Sequence, residues 1–396
     1  MMKRNILKRL TAKDLCKMST LSSIWKDLLN DAHLINLYRA WSQTNPLLLI
    51  VTQLSSVQNH STGNNSEEVD LLLTSMDPTD VTITYQARTK VYKDVKVLSS
   101  GRGCLFCILS MGDVIIFNAT TKEIQKLPKS VPPSDGPLRA NLMQLPRRPH
   151  RSVDHPPFVI ATGFGYIESK HVYAVIKLFF FSSACQILLL SETGEMITPW
   201  RTLVEKYSRG VFPASYGTMV QSKCYWLNRH ISPARWSRIS ASKMSILCLD
   251  IEPEMFCGIR YPNFGTCDEA GKEMHLENLK DELFLGLSHG DSLAMDIWVL
   301  KDHKNSDWNM QYHVDFSLIG GIDDHHVPSK VKLIGCGEGE QGGVLIFYDS
   351  RQQVLLYFNV EERRFKKGKR IQVEGNGVNM LFPYNERFSS ARRPAR

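Results

Sequence analysis

Ile115-Ile116-Phe117-Asn118-Ala119-Thr120-Thr121-Lys122-Glu123 is an apolar run that stops at an asparagine, breaks into a short polar turn and resumes with an acidic residue. The same order recurs in Leu189-Leu190-Ser191-Glu192-Thr193-Gly194-Glu195, in Cys248-Leu249-Asp250-Ile251-Glu252-Pro253-Glu254 and in Tyr357-Phe358-Asn359-Val360-Glu361-Glu362. An apolar strand that ends in Asn, Ser or Asp and then turns is hairpin grammar, because these side chains hydrogen-bond their own backbone just downstream. Tryptophans follow some of the strands, as at Trp200 and Trp308.

Around these copies the chain reads as β from about Ser100 to Phe382. Short β-branched or aromatic runs stand at Val114–Phe117, Phe158–Thr162, Val172–Phe181, Ile187–Leu190, Cys224–Leu227, Ile246–Leu249, Leu283–Leu287, Met295–Leu300, Lys332–Gly335, Val344–Tyr348 and Val354–Asn359. Gly, Pro, Asn and Asp punctuate them. Long helical patterns do not alternate with the strands, so a parallel α/β sheet is not expected. Copies of the repeat lie roughly 50–75 residues apart, the scale of a four-stranded blade. Many short antiparallel strands expose edges, and radial closure leaves only short, protected ones. The expected fold is mainly β, a kelch-like β-propeller over residues 46–385. Within it Leu47–Val51, Val69–Thr74 and Val81–Tyr85 look like strands, and Ser55–Ser66 reads as a polar loop. Blade number, and whether Pro46–Tyr85 supplies closing strands, are left to the structure.

The first 45 residues differ. Thr11 with Asp14 makes a capping-box-like start, followed by Leu15 and Met18 at helical spacing. Ser22 or Ser23 can cap a second helix carrying Ile24, Trp25, Leu28 and Leu29. Asp31 can cap a third, with Leu34, Leu37, Tyr38 and Trp41 at i, i+3, i+4, i+7. Three short helices over residues 1–45 bury little surface alone and call for a partner. Residues 386–396 read as a basic disordered tail.

The chain has 396 residues, 43% hydrophobic and 22% charged, which suits a globular protein with a small module and a large β domain. The net charge of +8 is concentrated at the ends, at Lys3, Arg4, Lys8 and Arg9 and at Arg387, Arg392, Arg393 and Arg396. No basic helix or aromatic–basic array accompanies it, so nucleic acid is not an expected partner. Nine scattered cysteines are not a disulfide framework, and Met1–Lys17 lacks the apolar core of a signal peptide. No stretch approaches the roughly 20 apolar residues of a membrane span. A reduced compartment, cytoplasm or nucleus, is expected, where the sequons at Asn59, Asn64 and Asn118 carry no glycan.

Ile6-Leu7-Lys8-Arg9-Leu10-Thr11-Ala12-Lys13-Asp14-Leu15, continued by Trp25-Lys26-Asp27-Leu28-Leu29-Asn30-Asp31, resembles the middle of an F-box. The chain starts just before Ile6, without the opening Leu-Pro and acidic first helix, so the resemblance is to an N-terminally truncated F-box. Thr11 and Ala32 stand where the family usually has prolines. The β region resembles the F-box-associated, kelch-like propeller domain of plant F-box proteins. The matching stretches, in the family's order, are Gly103-Cys104-Leu105-Phe106-Cys107, Phe117–Glu123 with Lys126-Leu127-Pro128, Gly163-Phe164-Gly165-Tyr166, Cys224-Tyr225-Trp226-Leu227, and Asp296-Ile297-Trp298-Val299-Leu300-Lys301 with Trp308. The resemblance implies a non-enzymatic substrate-recognition subunit of an SCF-type (Skp–cullin–F-box) ubiquitin ligase. On that reading the helices bind a Skp-type adaptor, and through it cullin, by way of Leu7, Leu10, Leu15, Met18, Trp25 and Leu28. Propeller loops present a target protein whose identity the sequence does not give. The alternative is a propeller binding module with a degenerate F-box and no ligase link.

Enzyme motifs test poorly. Gly286-Leu287-Ser288-His289-Gly290 fits the spacing of a nucleophile elbow, which would make Ser288 a hydrolase nucleophile. An elbow needs a helix after it, yet a strand-like run follows, so a hairpin is expected. Gly337-Glu338-Gly339-Glu340-Gln341-Gly342 fits a dinucleotide loop, but it carries two glutamates and runs into a strand; a hairpin loop is expected. Cys104 and Cys107 lack a second pair at zinc spacing and read as packed thiols. Asp323-Asp324-His325-His326 is metal-like in composition only. No cofactor and no metal are expected. Lys366-Lys367-Gly368-Lys369-Arg370 reads as a solvated turn rather than a nuclear-import run.

Overall fold

The computed structural model describes residues 7, 10, 12–19, 21–29, 31–44, 47–54, 68–78, 82–92, 95–99, 104–110, 113–119, 121–131, 159–179, 183–207, 213, 216–228, 245–264, 273–289, 293–319, 331–339, 342–371 and 379–384. The loop Ser55–Ser66, the Asp323–His326 cluster, Asn59, Asn64, Thr11 and the basic tail lie outside the described residues. The chain forms two compact units, one of Met1–Leu127 with Leu318–Arg396 and the other of Pro128–Ser317.

Among the described residues the first unit holds three helices and three four-stranded antiparallel sheets. The helices are α1 (Ala12–Ser19), α2 (Ser23–Leu29) and α3 (Ala32–Thr44). The first sheet joins the carboxyl-terminal strand β24 (Asn379–Tyr384) to β1 (Leu47–Leu54), β2 (Glu68–Asp77) and β3 (Thr82–Tyr92). The second runs β4 (Lys96–Ser99), β5 (Leu105–Ser110), β6 (Asp113–Asn118) and β7 (Ile124–Lys126). The third runs β20 (Val331–Gly339), β21 (Gly342–Asp349), β22 (Val354–Asn359) and β23 (Arg364–Arg370). Pro46–Tyr85 thus does feed a sheet that the far end of the chain completes, through pairs such as Ile50 with Leu381. Tyr384 fixes that strand twice: its hydroxyl meets Ser75 Oγ at 2.6 Å, and its ring stands edge-on to Phe106 with centroids 5.7 Å apart.

In the second unit two meanders share one eight-stranded sheet. The first is β8 (Val159–Ile167), β9 (Val172–Phe179), β10 (Cys185–Leu190) and β11 (Met196–Thr202); the second is β12 (Tyr216–Val220), β13 (Lys223–Trp226), β14 (Ser245–Asp250) and β15 (Met255–Arg260). Their first strands pair in parallel, Tyr216 with Thr162 and Gly217 with Gly163. A separate sheet runs β16 (Glu273–Leu279), β17 (Glu282–His289), β18 (Ala294–Asp302) and β19 (Asp307–Asp315). The fold is mainly β, with the β-propeller-like succession of four-stranded meanders that the repeat implied.

The repeat has one physical meaning: it is the turn from a meander's third strand to its fourth. Asn118 Oδ1 accepts the Thr121 N–H at 3.2 Å, Ser191 Oγ the Glu195 N–H at 3.0 Å, Asp250 Oδ1 the Glu252 N–H at 3.3 Å and Asn359 Oδ1 the Glu362 N–H at 2.8 Å. Asp302 makes a fifth such turn, accepting from Lys304 at 2.8 Å. Four residues beyond Asn118, Asp250, Asp302 and Asn359 the backbone turns left-handed, at Lys122, Glu254, Ser306 and Arg363 with φ of 65°, 58°, 54° and 50°. That is the geometry of a type I turn followed by a left-handed residue, common in longer hairpin loops. Asn118, 6% exposed, is thereby a buried turn residue.

One reading needs correction. Lys366–Arg370 is not a turn but most of β23, paired with β22. Trp200 and Trp308, which follow the apolar strands β10 and β18, lie within the fourth strands β11 and β19. Fourth strands are solvated along most of their length, as in β11 and β7, so they carry polar sequence with no apolar alternation.

The shared sheet is packed tightly at its parallel joint. Trp226, fully buried, lies over Gly163 and Gly217 with Cys224 beside it. A Cβ on Gly217 would stand 2.6 Å from Cys224 Sγ and 2.6 Å from Trp226 Nε1; one on Gly163 would stand 2.5 Å from Cys224 Sγ. The Gly-Phe-Gly-Tyr and Cys-Tyr-Trp-Leu stretches are therefore two halves of one contact.

Candidate protein-docking site on the helical module

The second and third helices begin where their capping residues dictate. Ser22 Oγ accepts the Trp25 N–H at 3.4 Å, and Asp31 Oδ1 accepts the His33 N–H at 3.0 Å, which satisfies amide donors that a first turn leaves open. Leu21 N–H closes the preceding turn on Met18 O at 3.1 Å. Helices of 8, 7 and 13 residues are too short to persist alone in water, so their stability comes from packing. That packing is one cluster: Leu7, Leu15, Leu29, Leu34 and Tyr38 are buried, with Leu10, Met18, Trp25, Leu28 and Ile35 packed partly exposed around them. Every member belongs to the helical segment.

All six residues expected to contact an adaptor fall in this cluster, but in two roles. Leu7 and Leu15, 3% and 1% exposed, are interior. Leu10, Met18, Trp25 and Leu28 reach the surface with part of their side chains. The residues most available to a partner are ones the sequence reading did not assign to docking: Leu21 is 73% exposed and Ile24 78% exposed. Ile24, Trp25 and Leu28 share one side of α2, so an apolar ridge runs from the cluster's edge into solvent. Exposed apolar groups are individually ordinary, but adjacent ones rimmed by polar residues mark interaction sites. Here Ser22, Ser23, Lys26 and Asp27 supply an exposed polar rim. Helical spacing would have found this ridge had the turn residue Leu21 been read with α2.

The strand motifs offer no comparable site. Ser288 lies on β17 opposite Glu273 and Met295. His289, its neighbour, projects from the other face, where Asp296 Oδ2 meets His289 Nε2 at 2.8 Å and Asp296 Oδ1 meets His313 Nδ1 at 2.6 Å. Burial pushes the Asp296 carboxyl up, but the hydrogen bonds to His313 and His289 outweigh it and hold it below the ordinary carboxylate value. The histidine–carboxylate group and the serine are thus on opposite sides of one sheet, which is not a nucleophile–base geometry. Gly337–Gly339 end β20 and Gly342 begins β21, with Gly339 paired to Gly342, a hairpin as expected. Cys104 and Cys107 are buried thiols. Among the described residues no group of three or more His, Cys, Asp or Glu side chains could hold a metal ion, and no helix is long and apolar enough to cross a membrane.

The model of the F-box associated beta propeller domain family matches residues 51–387. The chain belongs to that family. The F-box domain model matches residues 2–36, covering α1, α2 and the start of α3. The F-box-associated propeller and F-box thus stand in one chain, divided where the helices give way to β1. An F-box protein of Arabidopsis thaliana, At4g19940, is 21% identical over 386 residues, spanning 93% of this chain and 84% of that protein. Among solved structures, a protein of unknown function from Bacteroides caccae is similar with a TM-score of 0.44 and 8% identity, covering 86% of this chain and 98% of that one. The periplasmic gluconolactonase PpgL of Pseudomonas aeruginosa gives 0.42 and 10% identity, covering 82% and 84%. At these scores neither likeness bears on function.

Proposed function

We propose that this F-box protein is the substrate-recognition subunit of an SCF-type ubiquitin ligase, with no chemistry of its own. The helical module docks on a Skp-type adaptor, which links it to cullin, and the propeller holds a target protein. Binding then raises the target's effective concentration near the ubiquitin-charged enzyme. The observation that carries the reading is the ridge of Leu21, Ile24, Trp25 and Leu28. It lies in the segment matched by the F-box model, on a module whose interior is filled by its own side chains. Leu7 and Leu15 act from inside, setting the ridge's shape, while Leu10 and Met18 border the cluster. The location that goes with this reading is a reducing one, cytoplasm or nucleus.

Co-expression with a Skp-type adaptor tests this. The unmutated chain should co-purify with the adaptor in equal amounts, Trp25→Ala should weaken the complex by roughly 2 kcal/mol or more as a hot-spot residue does, and Leu10→Asp should abolish it. A chain that folds but never co-purifies would favour a propeller binding module with a degenerate F-box.

A further inference from the structure

Cys248 on β14 and Cys257 on β15 stand directly opposite in the antiparallel register. Opposed residues on such strands have Cα atoms roughly 4.5–5.5 Å apart, inside the span of about 4.4–6.8 Å that a disulfide requires. Tyr225 on β13 opposes Cys248 in turn, so three side chains stand in a row across three strands. The row is graded in exposure: Tyr225 and Cys248 are buried and Cys257 is exposed. Cys248 and Cys257 are therefore direct cross-strand neighbours on one face of the sheet. At the inner end the Tyr225 hydroxyl meets His303 Nδ1 at 2.9 Å. Lys223, two residues before Tyr225 on the same face, pairs with Asp250 at 3.0 Å and lends positive charge nearby.

The other buried thiols differ. Cys185 and Cys224 are pushed up by burial first of all, which makes them inert packing groups; Cys248 is pushed up as well, by its neighbour Cys257 first and then by burial. Cys257 is held down to about 7, chiefly by the neighbouring Cys248 thiol, against burial and the Asp250 charge, with Lys223 helping. Reactivity of a thiol follows thiolate character and access, and Cys257 has both.

We propose that Cys248 and Cys257 form a modification site, a dithiol that closes to a cross-strand disulfide with a small-molecule disulfide oxidant and reopens with a thiol reductant. The Cys257 thiolate attacks one sulfur of oxidised glutathione, forming a mixed disulfide and releasing one glutathione thiolate, which takes up a proton. Cys248, directly across on β14, gives its proton to solvent and attacks the Cys257 sulfur, expelling the second glutathione, which is protonated in turn. The protein dithiol loses two electrons and two protons, and one glutathione disulfide becomes two glutathione thiols. The exposed cysteine receives the oxidant and the shielded one resolves it.

The test uses the full chain in oxidised glutathione, quenched in acid, alkylated and digested with trypsin. Both cysteines lie in one peptide, residues 244–260. Closure removes two hydrogens and both alkylation sites from it, and added reductant restores them. Cys248→Ser should instead trap glutathione on Cys257, and Cys257→Ser should leave Cys248 free of glutathione. The proposal is overturned if the wild-type peptide keeps two alkylatable thiols, if it accumulates glutathione on Cys257 without closing, or if Cys248 takes up glutathione in Cys257→Ser. Should Cys248→Ser not fold, the wild-type peptide and Cys257→Ser, altered at an exposed position, decide the matter.

Discussion

Gly217→Ala adds one methyl group to the parallel joint between β8 and β12. The new Cβ would stand 2.6 Å from Cys224 Sγ and from two atoms of the Trp226 indole. None of these can yield cheaply: Cys224 and Trp226 are both fully buried, and the indole N–H is held by Thr162 O at 3.4 Å. Overpacking at such a site costs about 1–3 kcal/mol. For a unit the size of Pro128–Ser317, each kcal/mol lowers the melting temperature by roughly 2–4 °C, so a drop of about 4–8 °C is expected for a cost near 2 kcal/mol. Thermal unfolding followed by calorimetry reads it directly. Gly337→Ala is the matched control: it lies on β20, and no heavy atom falls within 4 Å of its added Cβ. Loss of glycine's extra unfolded-state freedom should leave that variant unchanged or slightly more stable. If Gly217→Ala melts with the wild type, or if Gly337→Ala falls as far, close packing at the joint is not what stabilises the shared sheet.

Asn359→Ala should cost about 1–2 kcal/mol in denaturant unfolding, because it strips the Glu362 N–H of its acceptor at a side chain that is fully buried; an unchanged midpoint would refute the role given to the turn. Asp296 has a folded-state pKa below its ordinary value of 3.8, so its ionised form stabilises the fold above that value and the contribution disappears as pH falls through the folded-state pKa. The stability gap between wild type and Asp296→Asn should therefore shrink as pH falls below about 4; a gap that widens over that acidic range would contradict the assignment. A fluorophosphonate probe should leave the native chain unlabelled, since Ser288 and His289 occupy opposite faces of β17. Labelling that vanishes in Ser288→Ala would revive the hydrolase reading.

The inner strands were legible because both of their faces are buried: Val172–Phe179 is apolar nearly throughout and its side chains are almost wholly inaccessible. The strand β23, Arg-Phe-Lys-Lys-Gly-Lys-Arg, was not, since a solvated fourth strand has no apolar face to advertise itself. Asp302 went unnoticed as a turn for a related reason. The residues before it, Leu300-Lys301-Asp302, already leave the apolar pattern, while the side chain still accepts two backbone N–H groups. The pairing of β24 with β1 joins residues more than 300 positions apart, which no local pattern encodes. In the helical module the caps at Ser22 and Asp31 were readable one residue at a time. The split of its apolar residues between interior and ridge was not: it depends on how three helices pack, and periodicity marks a face without saying what covers it.

The central claim is that the α2 ridge, and not merely a folded helical stub, grips an adaptor. Titration of a purified Skp-type adaptor into the chain and into Ile24→Asp, by isothermal calorimetry, measures it most directly. Ile24 is 78% exposed, so the substitution should leave the melting temperature within about 1 °C, as surface changes do. The predicted result is a one-to-one complex for the unmutated chain and at least a thirtyfold weaker one for Ile24→Asp, about 2 kcal/mol. Equal affinities for the two chains, or no binding by either, would contradict it.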